Sequence, residues 1–255
     1  MDSATPPPTT PGGANEADAP TARVPRSAYH HGDLRNALLE EASARVTTHG
    51  YRAVVGRDVA QAVGVAPSAV YRHFPSQSHL LAAVARKARE ALARHLQAAA
   101  SQVSARDGVA RDPVDEALAR FDAIGRAYVS FAQASPQLFE VAFANLGAPP
   151  DAPDDPSAWQ VLTTSLHTLA SVGAMDARHL AIAPYVAWTA VHGLAGILGG
   201  AVTAGQSGNQ FVPRNESCED GAVPNGQAAA NAEVVTVIID GVLDAVKRSL
   251  GLPSR

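Results

Sequence analysis

Hydrophobic residues recur at helical spacing along much of the chain, and the first such stretch begins near residue 33. Between residues 33 and about 48, apolar side chains form one stripe of a helix, and Gly50 follows the last of them. The members of the stripe are Leu34, Ala37, Leu38, Ala42 and Val46. The pattern predicts an amphipathic helix that packs one face against a core.

The same spacing predicts helices through most of the remaining chain. A long stripe after Ser76 indicates a connecting helix over residues 76–104, and another helix follows at about 114–134. Shorter helices are expected after Ser135 and around Trp159, and a last one at about 231–250. We therefore expect an all-α fold.

The segment 181–202 is almost continuously apolar and is long enough to span a bilayer. Pro184 and His192 interrupt it, and no Lys or Arg flanks it closely to set a membrane topology. We expect a buried helix at a protein–protein interface, and a membrane-associated protein is the alternative.

Two segments show no hydrophobic periodicity. Residues 1–28 are rich in Pro, Thr, Ala, Gly and acidic residues, which predicts a disordered tail, and residues 203–230 are expected to form a flexible loop. No apolar run near Met1 resembles a signal peptide. The single cysteine, Cys218, permits no internal disulfide, so we expect a cytoplasmic protein.

Residues 56–74 fit two short helices that cross at a sharp angle. Ala60 is the small residue that such a crossing needs, and Gly64 can take the left-handed conformation of a tight turn. Pro67 suits the first turn of the second helix, because its missing N–H is not needed there. This is the pattern of a helix-turn-helix, whose second helix, expected at 67–73, enters the major groove of DNA.

These residues stand in a longer run that resembles the DNA-binding signature of the TetR family of bacterial transcriptional regulators. The matching positions, within about 29–85, are Gly50, Tyr51, residues 57–60, 63–65 and 71–76, Leu80 and Leu81. The resemblance implies a three-helix DNA-binding domain over residues 29–75. It also implies that the connecting helix leads into a helical ligand-binding and dimerisation domain over residues 105–255.

The resemblance further implies which residues contact DNA. Tyr71 and His73 are expected to contact phosphates, and Gln77 stands where a lysine commonly meets a phosphate. Four residues of the recognition helix are expected to face base edges: Pro67, Ser68, Ala69 and Arg72. Val55 and Ala66 depart from the family, which usually places a capping Ser or Thr at these positions.

The distribution of charge agrees with a DNA-binding segment near the N-terminus. The 255-residue chain carries a formal net charge of −4, but residues 23–94 hold 11 Lys or Arg against 5 Asp or Glu. A basic module on an acidic body orients a protein on DNA. With 46% hydrophobic and 17% charged residues, the chain belongs to the soluble globular class.

Residues 187–194 resemble a Trp-His-Gly signature in the C-terminal domain of one branch of the same family. Trp188 and His192 are four residues apart and share one face of a helix, and Gly193 is expected to permit close helix approach. His192 is a candidate for a hydrogen bond to a ligand. The alternative is a core histidine that bonds to a backbone carbonyl.

Ala-rich helices with few aromatic residues are expected to leave a cavity for a small, largely apolar effector. The candidate lining residues are Phe121, Tyr128, Phe143, Trp159, Leu162, Leu166, Trp188 and His192. The alternative is that these side chains simply fill the core. No nucleophile–base–acid set, metal-ligand cluster or phosphate loop indicates catalysis or a cofactor, so an enzyme that uses this pocket is only the second hypothesis.

The apolar helices at 184–202 and 231–250 are expected to pair with their copies in a four-helix homodimer interface. The expected interface residues are Val191, Leu194, Leu198, Val235, Ile239, Val242 and Val246. A dimer also suits DNA recognition, since one recognition helix reads only a few base pairs. The sequence therefore predicts a transcriptional repressor that its effector releases from a palindromic operator.

Overall fold

The computed structural model of the chain describes residues 34–105, 112–146, 157–203 and 225–253. The tail predicted at 1–28 and Cys218 lie outside these ranges, as does most of the loop predicted at 203–230.

Nine α-helices make up the regular structure of the described ranges, together with two short 3-10 helices at Tyr51–Ala53 and Ala177–Ala181. The helices are α1 Leu34–His49, α2 Gly56–Val63, α3 Pro67–His73, α4 Gln77–Ala105, α5 Pro113–Ala134, α6 Pro136–Ala142, α7 Ala158–Ser171, α8 Ala183–Thr203 and α9 Asn225–Ser249. No strand occurs in these ranges. The all-α prediction is confirmed.

Local signals in the sequence set several of the helix ends. Gly50 follows α1 with a φ of 75°, a conformation that other residues rarely adopt. Asp112 caps α5 by accepting a hydrogen bond from the N–H of Val114. Ser157 and Gln160 form a reciprocal capping box at the start of α7, so two backbone donors that would otherwise lack partners are satisfied.

The first core joins α1, α2, α3 and the N-terminal half of α4. Leu38, Val59 and Leu80 are fully buried there, and each comes from a different helix. The short helix α6 adds Val141 and Ala142 to the same core, although it lies more than fifty residues further along the chain than the start of α4. The N-terminal helices therefore pack on a part of the C-terminal half.

Helix α5 lies at the centre of the C-terminal half and packs against α4, α6, α7, α8 and α9. Gly125 lets α9 approach, because a Cβ at this position would lie 2.4 Å from Cδ2 of Leu243. Gly199 of α8 similarly faces the backbone of Ala132, whose carbonyl oxygen would be 3.2 Å from an added Cβ. Gly193 has no neighbour within 4 Å, so the prediction that it permits close helix approach is wrong for the subunit itself.

The last two helices also differ in extent from the prediction. Helix α9 begins at Asn225, so the C-terminal end of the loop predicted at 203–230 is helical. Helix α8 covers nearly all of the apolar segment that raised the question of a bilayer span. Among the described residues, no helix combines the length and apolar character that crossing a membrane requires.

Candidate functional site

The crossing of α2 and α3 has the geometry of a helix-turn-helix. Gly64 ends α2 in the left-handed conformation, with φ 80° and ψ 27°, and its N–H bonds to the carbonyl of Gln61 at 3.1 Å. The N–H of Val65 donates to the carbonyl of Ala60 at 2.9 Å. These bonds close the turn, and Ala60 is fully buried beneath the crossing.

Neither of the two helices has a side-chain N-cap. Val55 and Ala66 precede α2 and α3 in extended conformation and supply no capping hydrogen bond. A backbone carbonyl satisfies one of the first N–H groups of α2, because the N–H of Asp58 donates to the carbonyl of Val55 at 3.0 Å. Pro67 at the start of α3 removes one donor that would otherwise need a partner.

Helix α3 presents one face to the core and the other to solvent. Val70 and Phe74 point inward and are almost completely buried. Tyr71 is 51% exposed, so its hydroxyl is available to a partner outside the protein. The remaining candidate DNA contacts divide into exposed Pro67, Ser68, Arg72 and Gln77 and half-buried Ala69 and His73. The contacts of these residues with DNA stay predictions.

Two exposed cations of the N-terminal helices were not singled out from the sequence as DNA contacts. Arg57 has a 75% exposed side chain and follows Gly56, whose Cβ position would lie 3.7 Å from the hydroxyl of Tyr71. Arg35 of α1 places its guanidinium 5.0 Å from the ring centre of Phe74. The excess of basic residues over 23–94 was the available signal, but it does not distinguish one cation from another.

A small apolar cavity lies in the C-terminal half, between helices α4, α5, α7, α8 and α9. Its volume is about 30 Å³, enough for a water molecule or two. Four of the predicted pocket residues line it: Phe121, Tyr128, Leu162 and Trp188. Leu96 of α4 and Val246 of α9 also line it, so the cavity touches the connecting helix directly.

Aromatic rings form a wall on one side of this cavity. The hydroxyl of Tyr128 lies 2.8 Å from Nδ1 of His192, within hydrogen-bonding distance. The His192 ring stacks on Trp188 with an interplanar angle of 11°. Burial lowers the pKa of His192 below its ordinary value of 6.5 and raises the pKa of Tyr128, because it disfavours the charged form of each group. The histidine thus bonds to a tyrosine hydroxyl and not to a backbone carbonyl.

The other predicted pocket residues lie elsewhere. Phe143 and His192 line an open cleft of about 390 Å³ between α6 and α8, on the far side of the aromatic wall. Trp159 packs its ring on Trp188 and lines neither space, and Leu166 is fully buried in the core beside the cavity without lining it. The structure therefore divides the predicted pocket into a small apolar cavity and a larger cleft. Across the described parts of the chain, no three or more His, Cys, Asp or Glu residues are grouped to hold a metal ion.

Two protein-family models match the chain, one for each half. Residues 38–84, which include α2 and α3, match the model described as bacterial regulatory proteins of the tetR family. Residues 121–206, which include the Trp188–His192 pair, match the model described as a tetracyclin repressor-like C-terminal domain. The chain belongs to the TetR family. It is a DNA-binding transcriptional regulator with an all-α fold.

Solved structures share the TetR-family fold of this chain. A Rhodococcus sp. RHA1 protein of unknown function is 26% identical, with a TM-score of 0.59, over 88% of this chain and 98% of that one. A proposed regulatory protein, SCO4313, is 16% identical, with a TM-score of 0.50, over 84% of this chain and 95% of that one. A comparison with curated proteins gives no match.

The predicted dimer residues of this TetR-family chain need a correction. Val191, Leu194, Leu198 and Val246 are at most 8% exposed, because they pack inside their own subunit. Val235, Ile239 and Val242 are half-buried against the same subunit. Among the residues whose side chains the structure describes, the large apolar ones exposed on α8, α9 and the turn before α8 are different: Ile182, Tyr185, Ile197, Val234, Val237 and Ile238. Helices α8 and α9 form as predicted, but most of the residues assigned to the interface pack inside the subunit, and the dimer itself stays a prediction.

Proposed function

We propose that this TetR-family regulator is a repressor that binds a palindromic operator as a homodimer and leaves it when a small effector enters the C-terminal half. The observation that supports DNA reading is the division of α3 into buried and exposed sides. Val70 and Phe74 fix the helix on its core, while Tyr71 and Arg72 remain exposed. A rigid helix with exposed polar and cationic groups suits the major groove.

The homodimer would use the exposed apolar faces of α8 and α9. Val237 is 65% exposed and Val234 is 56% exposed, which is costly for valine side chains that remain in water. On α8, Gly193 and Gly196 have open space where a Cβ would be, so a helix of a second copy can come close. This face, defined by Ile182, Tyr185, Ile197, Val234, Val237 and Ile238, is called the α8–α9 face below.

The effector would be small and largely apolar, because the cavity is lined almost wholly by hydrocarbon. At about 30 Å³ the cavity must expand to admit an organic molecule. Leu96 lines it and belongs to α4, whose N-terminal half carries Leu80 in the DNA-binding core. Expansion would therefore displace the helix that joins the two halves. We assign the protein to the cytoplasm, with no membrane partner and no catalytic step.

Selection of genomic fragments by the purified protein tests DNA reading. We expect enrichment of a two-fold-symmetric site whose affinity falls steeply as salt concentration rises. An Arg72→Ala, Ser68→Ala double variant serves as the control, and it should lose the enriched site while it keeps non-specific binding. The proposal would be contradicted if no site were enriched above the level of non-specific binding.

A cavity-filling substitution tests the position of the effector. Ala187 is buried and lines the cavity, so Ala187→Val should occupy the space without touching the DNA-binding core. We expect this variant to bind the operator normally and to resist release by apolar compounds that release the wild type. Equal release of both proteins would place the effector elsewhere.

A further inference from the structure

The N-terminal end of helix α1 lies beside the end of the recognition helix. Helix α1 begins at Leu34, and the guanidinium of Arg35 in its first turn lies 5.0 Å from the ring centre of Phe74. Phe74 directly follows α3 and is its C-cap residue. Arg35 is exposed. The part of the chain that precedes α1 is therefore attached to the fold next to α3.

The chain before α1 changes in charge along its length. Residues 1–18 hold three acidic residues and no Lys or Arg. Residues 19–32 hold two arginines, Arg23 and Arg26, and two histidines, but no acidic residue. The phosphate backbone of DNA therefore attracts the part that is nearer in sequence to α1 and repels the part beyond it.

The residues around the two arginines suit a narrow groove. Pro25 stands between Arg23 and Arg26. Proline lacks the N–H that a helix interior needs, and it favours an extended backbone at the residue before it, here Val24. The sequence therefore predicts a thin segment with two guanidinium groups, which the minor groove of B-DNA can admit although it is too narrow for a helix. A narrow minor groove over A·T pairs also concentrates negative potential, which attracts arginine.

The two arginines are close enough in sequence to α1 to reach a neighbouring minor groove. Arg26 stands eight residues before Leu34. An extended chain spans about 3.3 Å per residue, so this length reaches about 26 Å from the start of α1. A major groove and the minor groove beside it are separated by about half a helical turn, or about 17 Å. With α3 in the major groove, both arginines can therefore enter the adjacent minor groove.

We propose that residues 23–26 form an arm that enters the minor groove next to each half-site of the operator, where Arg23 and Arg26 contact the edges of A·T pairs. Their guanidinium groups donate to the adenine N3 and thymine O2 acceptors, and no amino group blocks this groove as it does at a G·C pair. The arm extends the reading of DNA beyond the base pairs that α3 can contact. This inference rests on the proposed function, because the arm is placed by α3 in its half-site.

Operator duplexes with altered flanking pairs test the arm. The probe is the two-fold-symmetric site enriched from the genome, made with A·T, G·C or inosine·cytosine pairs next to each half-site. Inosine lacks the 2-amino group of guanine, so its pair with cytosine resembles G·C in the major groove and A·T in the minor groove. By fluorescence anisotropy, the full-length wild type should bind the A·T and inosine·cytosine duplexes equally and the G·C duplex about tenfold more weakly.

Two double variants assign this preference to the arm. Arg23→Ala, Arg26→Ala should bind all three duplexes with the same affinity. Its plot of log affinity against log salt concentration should also become shallower, by about 0.9 for each phosphate-neutralising cation that is lost. Arg178→Ala, Arg248→Ala is the matched control, because it removes the same charge from exposed positions of the C-terminal half. The control should keep the preference and the salt dependence of the wild type.

Three results would overturn the arm: wild-type affinity that does not depend on the flanking pairs, an inosine·cytosine duplex that binds like the G·C duplex, or an Arg23→Ala, Arg26→Ala protein that keeps the preference for A·T. Recognition of the enriched site by α3 persists in each of these cases, so the proposed repressor would stand. A wild type that enriches no site at all would contradict the repressor and the arm together.

Discussion

Tyr71 and Arg72 are neighbours in the recognition helix, but they are expected to play different parts on DNA. The hydroxyl of Tyr71 lies close to Gly56 at the start of α2, where a phosphate between the two helices would be in reach. Arg72 is exposed on α3 and is free to face a base edge. Phosphate contacts set affinity for any sequence, whereas base contacts set preference among sequences.

Tyr71→Phe, which removes only the hydroxyl, should weaken binding to all DNA sequences by about tenfold, because a hydrogen bond to a charged phosphate is lost. Arg72→Ala should instead change which sequence is preferred. Fluorescence anisotropy with the operator and with a scrambled duplex, over a series of salt concentrations, separates the two effects. If Tyr71→Phe lost affinity for the operator alone, the assignment of Tyr71 to a phosphate would be wrong.

His192 makes the free energy of unfolding depend on pH, and it lowers this free energy as the pH falls. Burial lowers its pKa in the folded protein, so below pH about 6.5 the unfolded chain binds more protons than the folded chain. Above that pH the free energy of unfolding keeps the whole contribution of neutral, buried His192. It loses this contribution as the pH falls towards the lowered pKa. We expect the free energy of unfolding, measured with urea, to decrease from pH 7 to pH 5 less steeply in His192→Gln than in the wild type.

His167→Gln is the matched control for this measurement, since His167 is an exposed histidine on α7. The group that faces His192 from α5 is Tyr128, and Glu140 of α6 lines the same cleft. A Glu140→Gln variant should keep the pH dependence, because burial is the cause of the shift. Equal slopes for the wild type and His192→Gln would refute this origin of the pH dependence.

At the scale of elements, α9 is held on α5 by ion pairs as well as by apolar contacts. Nζ of Lys247 lies 3.1 Å from a carboxylate oxygen of Asp122 and 2.8 Å from one of Asp244. Burial lowers the pKa of Lys247, but hydrogen bonds to Asp244 and Asp122 outweigh burial and keep the pKa above its ordinary value. Arg126 of α5 forms a further ion pair with Asp240 of α9.

Lys247→Met keeps the hydrocarbon stem but removes the charge, and it leaves the half-buried Asp122 without its partner. We expect a loss of about 1–3 kcal/mol in the free energy of unfolding, because an ion pair that is partly exposed costs less to break than a fully buried one. Chemical denaturation measures the change. Arg248→Met, one residue along and exposed, should change stability by less than about 0.5 kcal/mol. Equal effects of the two substitutions would contradict the role given to Lys247.

Periodicity identified the helices reliably but often failed to identify their partners. Leu38 and Val46 lie on a helix with one apolar stripe, so their burial could be predicted from spacing. Helix α8 is apolar on every side, so spacing cannot tell buried Val191 from exposed Ile197. Gly193 and Gly199 look equivalent in sequence, yet only Gly199 meets a neighbouring backbone. These distinctions depend on which helix packs where, and that is set by long-range contacts.

The DNA-binding helix could be predicted from the sequence, but the arrangement of the pocket residues could not. The exposed residues of α3 follow from the turn at Gly64 and the inward positions of Val70 and Phe74. The division of the pocket residues between a cavity and a cleft does not follow from local sequence. It depends on Phe143, which is placed by α6, a helix that packs on both halves of the chain.

At the scale of the whole molecule, the proposed homodimer depends on the α8–α9 face. Val237→Glu places a charge at a 65% exposed position, so the subunit should still fold while the dimer dissociates. We expect a monomer by light scattering and the loss of operator binding at concentrations that saturate the wild type. Ala98→Glu adds the same charge to an exposed position of α4 and should remain dimeric. A dimeric Val237→Glu protein would refute this face.

Helix α6 limits where this chain could be cut to join its DNA-binding part to a different sensor domain. Val141 is fully buried in the core that holds α1 to α3, and Arg89 of α4 donates a hydrogen bond to the carbonyl of Ala142 at 2.7 Å. A fragment that stopped at the end of α4 would expose that core where α6 normally covers it. A hybrid regulator made by joining this DNA reader to a foreign sensor would therefore have to carry α6 with the reader. The part that could be exchanged in this chain is the DNA-binding core together with α6. These elements are adjacent in space but do not form a continuous stretch of sequence.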